Sequence, residues 1–288
     1  MPTAPTVLVT GATDGLGRGV AERLAADGAA VLLHGRDPRR LDTAEREIRE
    51  ATGSDRLSTF LADLASLEEV RRLADDVTSS VACLDVLVSN AGIGSGRPNP
   101  RREVSRDGYE LRFAVNYLAG FLLTLRLLPL LRRAAPSRVV LVSSLGQAPI
   151  DFDDVMLERG YDGIRAYCQS KLAQVAFGFE LASQLPADEV TVNSLHPATF
   201  MPTKMVLAEG GRSVDSLERG VNATARLATS PELDGVTGRF YDREQEATAL
   251  QQAYDEDARR RLWDLSLELT GAEGHEARGR ELSHERRR

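Results

Sequence analysis

Short apolar runs alternate along the chain with segments in which apolar residues recur every three or four positions. Short runs bounded by glycine or polar residues are typical of strands, and the three-to-four spacing is typical of amphipathic helices. The runs predict seven strands, at 6–10, 30–35, 57–63, 84–90, 138–144, 190–196 and 238–242. Because strands and helices alternate, we expect a single doubly wound α/β domain with a mostly parallel sheet and helices on both faces.

Helical spacing marks the segments near residues 16–24, 41–48, 67–81, 108–134, 163–184, 217–229 and 256–269. Ser66, with Glu69 three residues later, gives the third helix the spacing of a capping box. The two longest segments are expected to cover the sheet and to offer a contact for a homodimer or homotetramer. Residues 271–288 mix glycine with dense charge, so we expect a domain spanning 1–270 and a disordered charged tail after it.

Composition and charge limit the classes of partner. The chain has 288 residues, 42% of them hydrophobic and 27% charged, and no uninterrupted apolar run approaches the ~18 residues of a membrane span. A formal net charge of −7 argues against nucleic-acid and anionic-membrane partners, because affinity for phosphate groups comes mainly from excess Lys and Arg. We therefore expect a small-molecule ligand, no nucleic acid and no membrane span.

Cysteine and histidine usage argues against a disulfide framework and a metal site. Cys83 and Cys168 are the two cysteines, and neither has the spacing of a zinc ligand. The four histidines are scattered, so no metal is expected. The strand pattern TVLVT comes almost at once, with no charged leader and apolar stretch before it, so we expect a cytoplasmic protein.

Lysine is rare in this sequence. Of 36 basic residues only Lys171 and Lys204 are lysine, and the rest are arginine. A lysine is therefore expected where a compact ammonium has a specific role. Lys171 follows Tyr167 by four residues in the sequence YCQSK, which places a phenol and an ammonium on the same face of a helix.

Three glycines follow the first strand directly. The sequence GATDGLG places Gly11, Gly15 and Gly17 between a strand and a helix. Glycine allows a sharp turn, removes the Cβ that would block a pyrophosphate, and brings the helix N-terminus close to that charge. This position in a βαβ unit favours dinucleotide binding over a plain turn, and with it a Rossmann-type domain.

The end of the second strand bears on the choice of dinucleotide. An acidic residue there selects the free ribose hydroxyl of NAD, whereas an arginine accommodates the 2′-phosphate of NADP. The strand ends at Gly35 and Arg36 follows it, with Asp37 already past the strand end. NADP(H) is therefore favoured over NAD(H), and the alternative that Arg36 is a solvated turn residue stays open.

Seven short motifs in order make the sequence resemble the short-chain dehydrogenase/reductase family. They are TGATDGLG, ADL at 62–64, NAG at 90–92, VNYLAGF, VVLVSS, YCQSK, and LHP ending at Pro197. The resemblance covers residues 6–270, and SRVVLVSSLG, AYCQSKLAQVAF and RLWDLS are most similar to the retinol-dehydrogenase-like branch. Two residues depart from the pattern: Ala198, where glycine is common, and Gly120, where that branch has a bulkier residue.

The resemblance implies roles for the matched residues. Tyr167 would be the general acid in carbonyl reduction and the general base in alcohol oxidation. Lys171 would lower the pKa of the Tyr167 phenol and bind the nicotinamide ribose. Ser144 would hydrogen-bond the substrate oxygen. Asn116 would hold the lysine and a proton-relay water. Cofactor contacts are implied for Gly11, Thr13, Asp14, Gly15, Leu16, Gly17, Arg36, Asp63, Leu64, Asn90, Ala91, Gly92, Tyr167, Lys171, Pro197 and Thr199.

The predicted strands agree with these roles. Parallel α/β sheets bind ligands beyond the carboxyl ends of their strands. Six separate strands end at or just before one of these residues, namely Gly11, Arg36, Asp63, Asn90, Ser144 and Pro197. The Tyr-to-Lys step of four favours carbonyl or alcohol chemistry over that of the related enoyl reductases, whose step is longer, and the glycine pattern differs from that of the extended sugar-nucleotide epimerases.

Apolar side chains are spaced through residues 145–166 and through a segment at about 198–216. We expect these segments to form a lid over a mainly hydrophobic ketone, aldehyde or alcohol. The alternative left open is that the same side chains pack on the sheet. The residues concerned are Ile150, Phe152, Val155, Met156, Phe200, Met201, Met205 and Leu207, with Gly210 and Gly211 as hinges.

A second class of function is a dinucleotide-binding sensor or scaffold without catalysis, because fold alone does not fix function. The complete set of Ser144, Tyr167 and Lys171 favours an enzyme, since a sensor needs no proton donor. We therefore expect an NADP(H)-dependent oxidoreductase that acts on a carbonyl or alcohol group.

Overall fold

Eight strands form one sheet at the centre of the protein, whose structure is a computed structural model that describes residues 4–96, 101–208 and 213–273. The strands lie in the order β3-β2-β1-β4-β5-β6-β7-β8. The first seven run parallel, and β8 pairs antiparallel with β7. The predicted doubly wound, mostly parallel sheet is therefore confirmed. The strands are β1 (Thr6–Val9), β2 (Ala30–Gly35), β3 (Leu57–Leu61), β4 (Val86–Ser89), β5 (Ser137–Val142), β6 (Val190–His196), β7 (Arg239–Asp242) and β8 (Gln245–Ala247).

β8 is the strand that the sequence pattern missed. It contains only three residues, QEA, and follows β7 after a turn in which Arg243 has a φ of 57°. A short polar strand at the edge of a sheet has no apolar run, so hydrophobic periodicity does not reveal it. Its pairing covers the edge of β7 that would otherwise be open.

Eight α-helices flank the sheet in the described part of the chain. The predicted helical segments are all confirmed, and a short helix inside the predicted lid adds to them. The helices are α1 (Gly15–Ala26), α2 (Pro38–Thr52), α3 (Leu67–Ser80), α4 (Ala119–Arg133), α5 (Gly163–Gln184), α6 (Lys204–Ala208), α7 (Leu217–Thr229) and α8 (Glu256–Thr270).

The predicted capping box at the start of α3 forms only in part. The Ser66 hydroxyl accepts a hydrogen bond from the Glu69 N–H at 3.3 Å, as predicted. The Glu69 carboxylate instead accepts from the backbone N–H of Asp63 at 2.7 Å. Glu69 therefore fixes the chain after β3, close to the predicted adenine-side residues, rather than closing the cap on Ser66.

A π-helical segment, Phe113–Leu118, precedes α4 and contains Asn116. Together the two form a helix, Phe113–Arg133, that contains an 18-residue window with a mean hydropathy of 1.6, which matches a membrane span by length and composition alone. The window meets the criterion by its mean, although polar residues such as Asn116 and Arg126 interrupt its apolar run. In the fold 83% of the apolar window is buried inside the protein, which is how a core helix meets the same criterion.

The core has one cluster on each face of the sheet. In β1, Leu8 belongs to the cluster under α3, α4, α5 and α8, whereas Val7 and Val9 belong to the cluster under α1, α2 and α7. On the first face Trp263 of α8 packs against two rings, with centroids 5.3 Å from Phe121 and 6.1 Å from Phe177. α8 of the same chain thus covers part of the surface predicted to meet a second subunit, and the homo-oligomer stays a prediction. Most of the predicted tail, residues 274–288, lies outside the described residues.

Candidate active site

The carboxyl ends of the parallel strands meet at one edge of the sheet. Val9 pairs with Val88, Ser89 with Leu141, and Val142 with Leu195. This register brings the residues that follow β1, β4, β5 and β6 to the same edge, as the sequence predicted. The glycine loop, the NAG motif, Ser144 and Pro197 therefore border one crevice.

The glycine loop has the geometry that binding of a dinucleotide requires. Gly11 and Gly15 have φ of 67° and 50°, which side chains rarely adopt. A Cβ at Gly17 would overlap the carbonyl oxygen of Gly11 and the side-chain amide of Asn90. Glycine at this position therefore lets the N-terminus of α1 approach β1 as closely as a pyrophosphate-binding turn needs. Leu16 is buried beneath the loop.

Thr10 ties the glycine loop to the NAG motif, and the sequence reasoning did not single it out. Its hydroxyl accepts from the N–H groups of Asn90 at 2.9 Å and Ala91 at 3.0 Å. The Asn90 side-chain amide donates to the Thr10 carbonyl at 2.8 Å. Asn90 and Ala91 thus hold β4 against β1, and Gly92 follows them beside Asn116 and Lys171.

His34 in β2 also supports the glycine loop and was not predicted. Its Nδ1 accepts from the Gly11 N–H at 3.2 Å, and Nε2 lies 3.1 Å from the Ala62 carbonyl. The residue is only 2% exposed, and burial lowers its pKa to about 4. A histidine in an otherwise apolar strand run, AVLLHG, was the signal available in the sequence.

Basic side chains surround a cavity of about 310 Å³ between the glycine loop and α2. Asp14 is the N-cap of α1 and forms ion pairs with Arg40 at 2.7 Å and Lys204 at 2.8 Å. Arg36 is exposed directly after β2, as predicted. Arg36 is not among the residues that line the cavity, and the sequence reasoning did not identify its basic residues, because they come from α1, α2 and α6. Its lining is Thr13, Asp14, Arg18, Arg39, Arg40, Thr43, Ala44, Glu47 and Lys204.

The predicted adenine-side pair after β3 is held differently at its two residues. Asp63 accepts from the N–H of Ala65 at 3.1 Å and lies 3.7 Å from an Arg106 nitrogen. Leu64 is buried in the core. Their contacts with a cofactor stay a prediction.

Ser144 and Tyr167 come together over Gly146. A Cβ placed on Gly146 would lie 3.4 Å from Ser144 Oγ and 3.8 Å from a Tyr167 ring carbon. The Ser144 hydroxyl accepts from the Gly146 N–H at 3.0 Å, which fixes its oxygen at this edge. The absence of a side chain at Gly146 therefore leaves room beside both hydroxyl-bearing residues.

Lys171 lies behind the Tyr167 ring on the same face of α5. Its Nζ is 5.8 Å from the ring centroid, and the residue is only 5% exposed. The ammonium donates to the Val142 carbonyl at 3.0 Å and to Oε1 of Gln174 at 2.9 Å. Burial lowers the pKa of Lys171 to about 7. The contact with Gln174 was not foreseen in the sequence.

Asn116 anchors the loop after the NAG motif. Its Oδ1 accepts from the Ile93 N–H at 2.8 Å, and its Nδ2 donates to the Ile93 carbonyl at 3.1 Å and to Ser170 Oγ at 3.0 Å. These bonds go to Ile93 and Ser170 rather than to Lys171. The predicted hold on the lysine is therefore not a direct side-chain bond, and the relay water stays a prediction.

The segment after β6 is fixed at its base. Pro197 is buried, and the Thr199 N–H donates to Asp215 at 2.9 Å, while Arg243 forms an ion pair with the same carboxylate at 2.9 Å. Hydrogen bonds and the Arg243 ion pair lower the pKa of Asp215 to about 2. The predicted lid is thus anchored where it leaves and rejoins the domain.

The predicted lid side chains divide between the surface and the core. Phe200 is 57% exposed and Leu207 is also exposed. Met201 does not face the cleft and follows the packing alternative, because it is only 9% exposed and packs in the core against Gly220 of α7. Gly210 and Gly211, the predicted hinges, lie outside the described residues, as does the Met205 side chain.

The segment 145–166 follows the alternative of packing on the body of the domain. Ile150 is buried in the core, and Phe152, Val155 and Met156 are partly buried against it. Gln252 fixes Ile150 from the C-terminal region, accepting from its N–H at 2.6 Å. These four side chains are therefore anchored rather than free to move.

The described residues contain no group of three or more His, Cys, Asp or Glu side chains that could hold a metal ion. The glycine loop, the close approach of α1 to β1 and the basic cavity fit a phosphorylated dinucleotide. Ser144, Tyr167 and Lys171 lie at the far end of the same edge. The arrangement can bind a dinucleotide and place a proton donor beside a small ligand.

Comparisons with known proteins agree with this geometry. Residues 5–210 match the short chain dehydrogenase family. Human retinol dehydrogenase 14 is 38% identical to this chain, over 92% of this chain and 86% of its own length. Mouse polyprenol dehydrogenase is also 38% identical, over 97% of this chain and 88% of its own length. A short chain dehydrogenase from Escherichia coli CFT073, solved with NADPH, has a TM-score of 0.68 at 27% identity, covering 83% of this chain and 96% of that chain. The protein belongs to the short-chain dehydrogenase/reductase family of oxidoreductases, within its retinol-dehydrogenase-like branch.

Proposed function

We propose that the protein is an NADP(H)-dependent oxidoreductase that transfers a hydride between the nicotinamide and a carbonyl or alcohol carbon. The observation that carries the proposal is that Ser144 and Tyr167 both border the position that a side chain of Gly146 would occupy, with the buried Lys171 ammonium 5.8 Å from the phenol ring. Carbonyl reduction needs a hydrogen-bond donor and a proton at the oxygen, and this pair of hydroxyl groups supplies both.

Each side chain has a separate task. The bound dinucleotide supplies or accepts the hydride. The Ser144 hydroxyl donates to the substrate oxygen and orients it, and the Tyr167 hydroxyl gives its proton to that oxygen as negative charge develops. In alcohol oxidation the same proton returns to Tyr167. Because a free phenol has a pKa near ~10, the positive charge of Lys171 is needed to favour the phenolate at neutral pH.

The preference for NADP(H) rests on the charge beside the glycine loop. Arg36 is exposed after β2, and Arg39, Arg40 and Lys204 line the adjacent cavity. A 2′-phosphate is a dianion that the planar guanidinium groups can bind with two hydrogen bonds each. Crystallisation of the Escherichia coli relative with NADPH supports the same choice.

The substrate is proposed to be mainly apolar. Leu145, Phe200 and Leu207 are exposed apolar side chains in the two segments beside Ser144 and Pro197. An apolar rim favours hydrophobic alcohols and carbonyl compounds over hydrated ones. The relatives named for retinol and polyprenol support this class of substrate.

The test is a spectrophotometric assay of NADPH and NADH consumption with a panel of carbonyl compounds, run beside the reverse reaction with alcohols. The panel pairs long-chain and isoprenoid aldehydes with small sugars. We expect turnover of apolar compounds with NADPH. A preference of orders of magnitude in kcat/KM for the sugars would overturn the apolar assignment, and a clear preference for NADH would overturn the choice of cofactor.

A further inference from the structure

Three polar side chains form a stripe along one face of α5. Tyr167, Lys171 and Gln174 are separated by four and three residues, which aligns them on a helix. Gln174 is only 3% exposed, and the residues around it on α5, Ala173 and Val175, are apolar and buried. A buried glutamine among apolar neighbours needs a hydrogen-bonding partner, and its Oε1 accepts from Lys171 Nζ at 2.9 Å.

We infer that Gln174 is a positioning residue for the proposed reaction. Its neutral amide oxygen holds the Lys171 ammonium in place, and because this acceptor has no charge, the whole lysine charge acts on Tyr167. The inference rests on the proposed function for its effect on catalysis. The contact itself, between two buried side chains, does not depend on that function.

The surroundings of Lys171 explain why the acceptor is neutral. The groups facing it are the Val142 carbonyl from β5, Asn116 and Gly92 from the neighbouring helix and loop, and Tyr167 from α5. Burial is the cause that lowers the pKa of Lys171, and no described carboxylate acts against it. A buried ammonium needs acceptors, but a carboxylate would pair with the charge and cancel its field at the phenol.

The number of donors fits this role. An ammonium has three N–H donors. The bonds to Val142 and Gln174 use two of them, which leaves one N–H for the ribose or the phenol. Removal of the Gln174 carbonyl would leave a second N–H without an acceptor and favour the uncharged amine.

The scarcity of lysine allows a direct measurement in the protein without a ligand. Lysine labelled with ¹³C at Cε gives two signals, from Lys171 and Lys204, and Lys204→Arg assigns them. The pKa of Lys171 is then read from the pH titration of its signal. We expect Gln174→Glu to raise this pKa by about one unit or more, because a carboxylate stabilises the ammonium, and Gln174→Leu to lower it.

Gln169→Leu is the matched control. Gln169 is also a buried glutamine of α5, but its amide bonds the backbone of Asp151 and Val155. We expect this variant to leave the Lys171 titration unchanged. If Gln174→Leu does not fold, Gln174→Glu, which has nearly the same shape, carries the test alone. Equal Lys171 titration in wild type and Gln174→Glu, or an equal change in Gln169→Leu, would overturn the inference.

The pH dependence of kcat for alcohol oxidation provides the second readout. We expect the pH of half-maximal kcat to rise by about one unit in Gln174→Glu and to be unchanged in Gln169→Leu. A changed Lys171 titration with an unchanged kcat profile would overturn the catalytic part. Failure of the proposed function is distinguishable, because a wild type without turnover would still show the Lys171 titration.

Discussion

The backbone N–H of Gly11 donates to Nδ1 of His34, 3.2 Å away, at the centre of the glycine loop. This bond requires a neutral imidazole that carries its proton on Nε2, facing the Ala62 carbonyl. The folded pKa of His34 is about 4, whereas an exposed histidine has a pKa near ~6.5. Between these pH values the unfolded chain therefore binds more protons than the folded chain. The stabilisation of the folded state by neutral His34 is present above pH ~6.5 and is lost as the pH falls towards 4.

We expect the titration of His34 to reduce the free energy of unfolding by about 2 kcal/mol between pH 7.5 and pH 5. The measurement is urea unfolding of wild type and of His34→Gln at both pH values. Glutamine does not titrate, so the variant should lose about 2 kcal/mol less than wild type over this interval. The same loss in both proteins would show that His34 is not the group responsible.

A buried ionic network joins the start of the π-helical segment to the chain before α5. Arg112 lies 3.5 Å from Glu110, and its guanidinium donates to the Tyr161 hydroxyl at 2.8 Å. Tyr161 in turn donates to Glu110 at 3.0 Å, and burial together with the Glu110 charge raises the pKa of Tyr161. Because Arg112 also donates to the Gly94 carbonyl at 2.9 Å, the network fixes the loop after the NAG motif.

Removing one charge of this pair should be far more costly than removing the tyrosine hydroxyl. We expect Arg112→Met to lower the free energy of unfolding by about 3–5 kcal/mol, since it leaves the Glu110 carboxylate buried without its partner. Tyr161→Phe should lower it by about 1–2 kcal/mol. Chemical unfolding of the two variants gives both values, and similar losses in the two would contradict the assignment of a buried ion pair.

Gly146 should control access of the substrate to the proposed proton donor. In Gly146→Ala the new methyl group would lie 3.4 Å from Ser144 Oγ, in the space where the substrate oxygen is expected. We expect kcat/KM for the carbonyl substrate to fall about tenfold or more, while the KM for NADPH and the unfolding midpoint change little. A variant as active as wild type would place the substrate elsewhere.

Arg36 should discriminate between the two dinucleotides. Loss of a charge-assisted bond costs about 1.5–3 kcal/mol, so Arg36→Ala should raise the KM for NADPH about tenfold or more and leave that for NADH nearly unchanged. Arg49→Ala is a matched control, because Arg49 on α2 pairs with Glu45 in the same helix. Steady-state kinetics with both cofactors would reject the role of Arg36 if the two variants behaved alike.

The alternation of apolar runs and helical spacing was sufficient to predict the sheet and the edge at which the site lies. Every predicted strand and helix forms, because each has a continuous apolar run or stripe that the core buries. The three residues of β8 have no apolar run, and the five residues of α6 are too few to show a helical stripe. Short elements of this kind depend on contacts with distant parts of the chain.

The residues that support the site could not be predicted in the same way. The role of His34 depends on the distance from β2 to the glycine loop, and that of Gln174 depends on which side chains α5 buries. Met201 illustrates the opposite case, since an apolar residue after β6 suits both a lid and the core. Its contact with α7, which the local sequence does not encode, places it in the core.

The central claim is that Tyr167 exchanges the proton with the substrate oxygen. Its most direct test is the rate of NADPH oxidation with an apolar aldehyde or ketone by wild type and by Tyr167→Phe, at matched saturation with NADPH. We expect a loss of at least about a hundredfold in kcat in the variant, with NADPH still bound, as measured by its fluorescence. Equal turnover by the two proteins would contradict the mechanism.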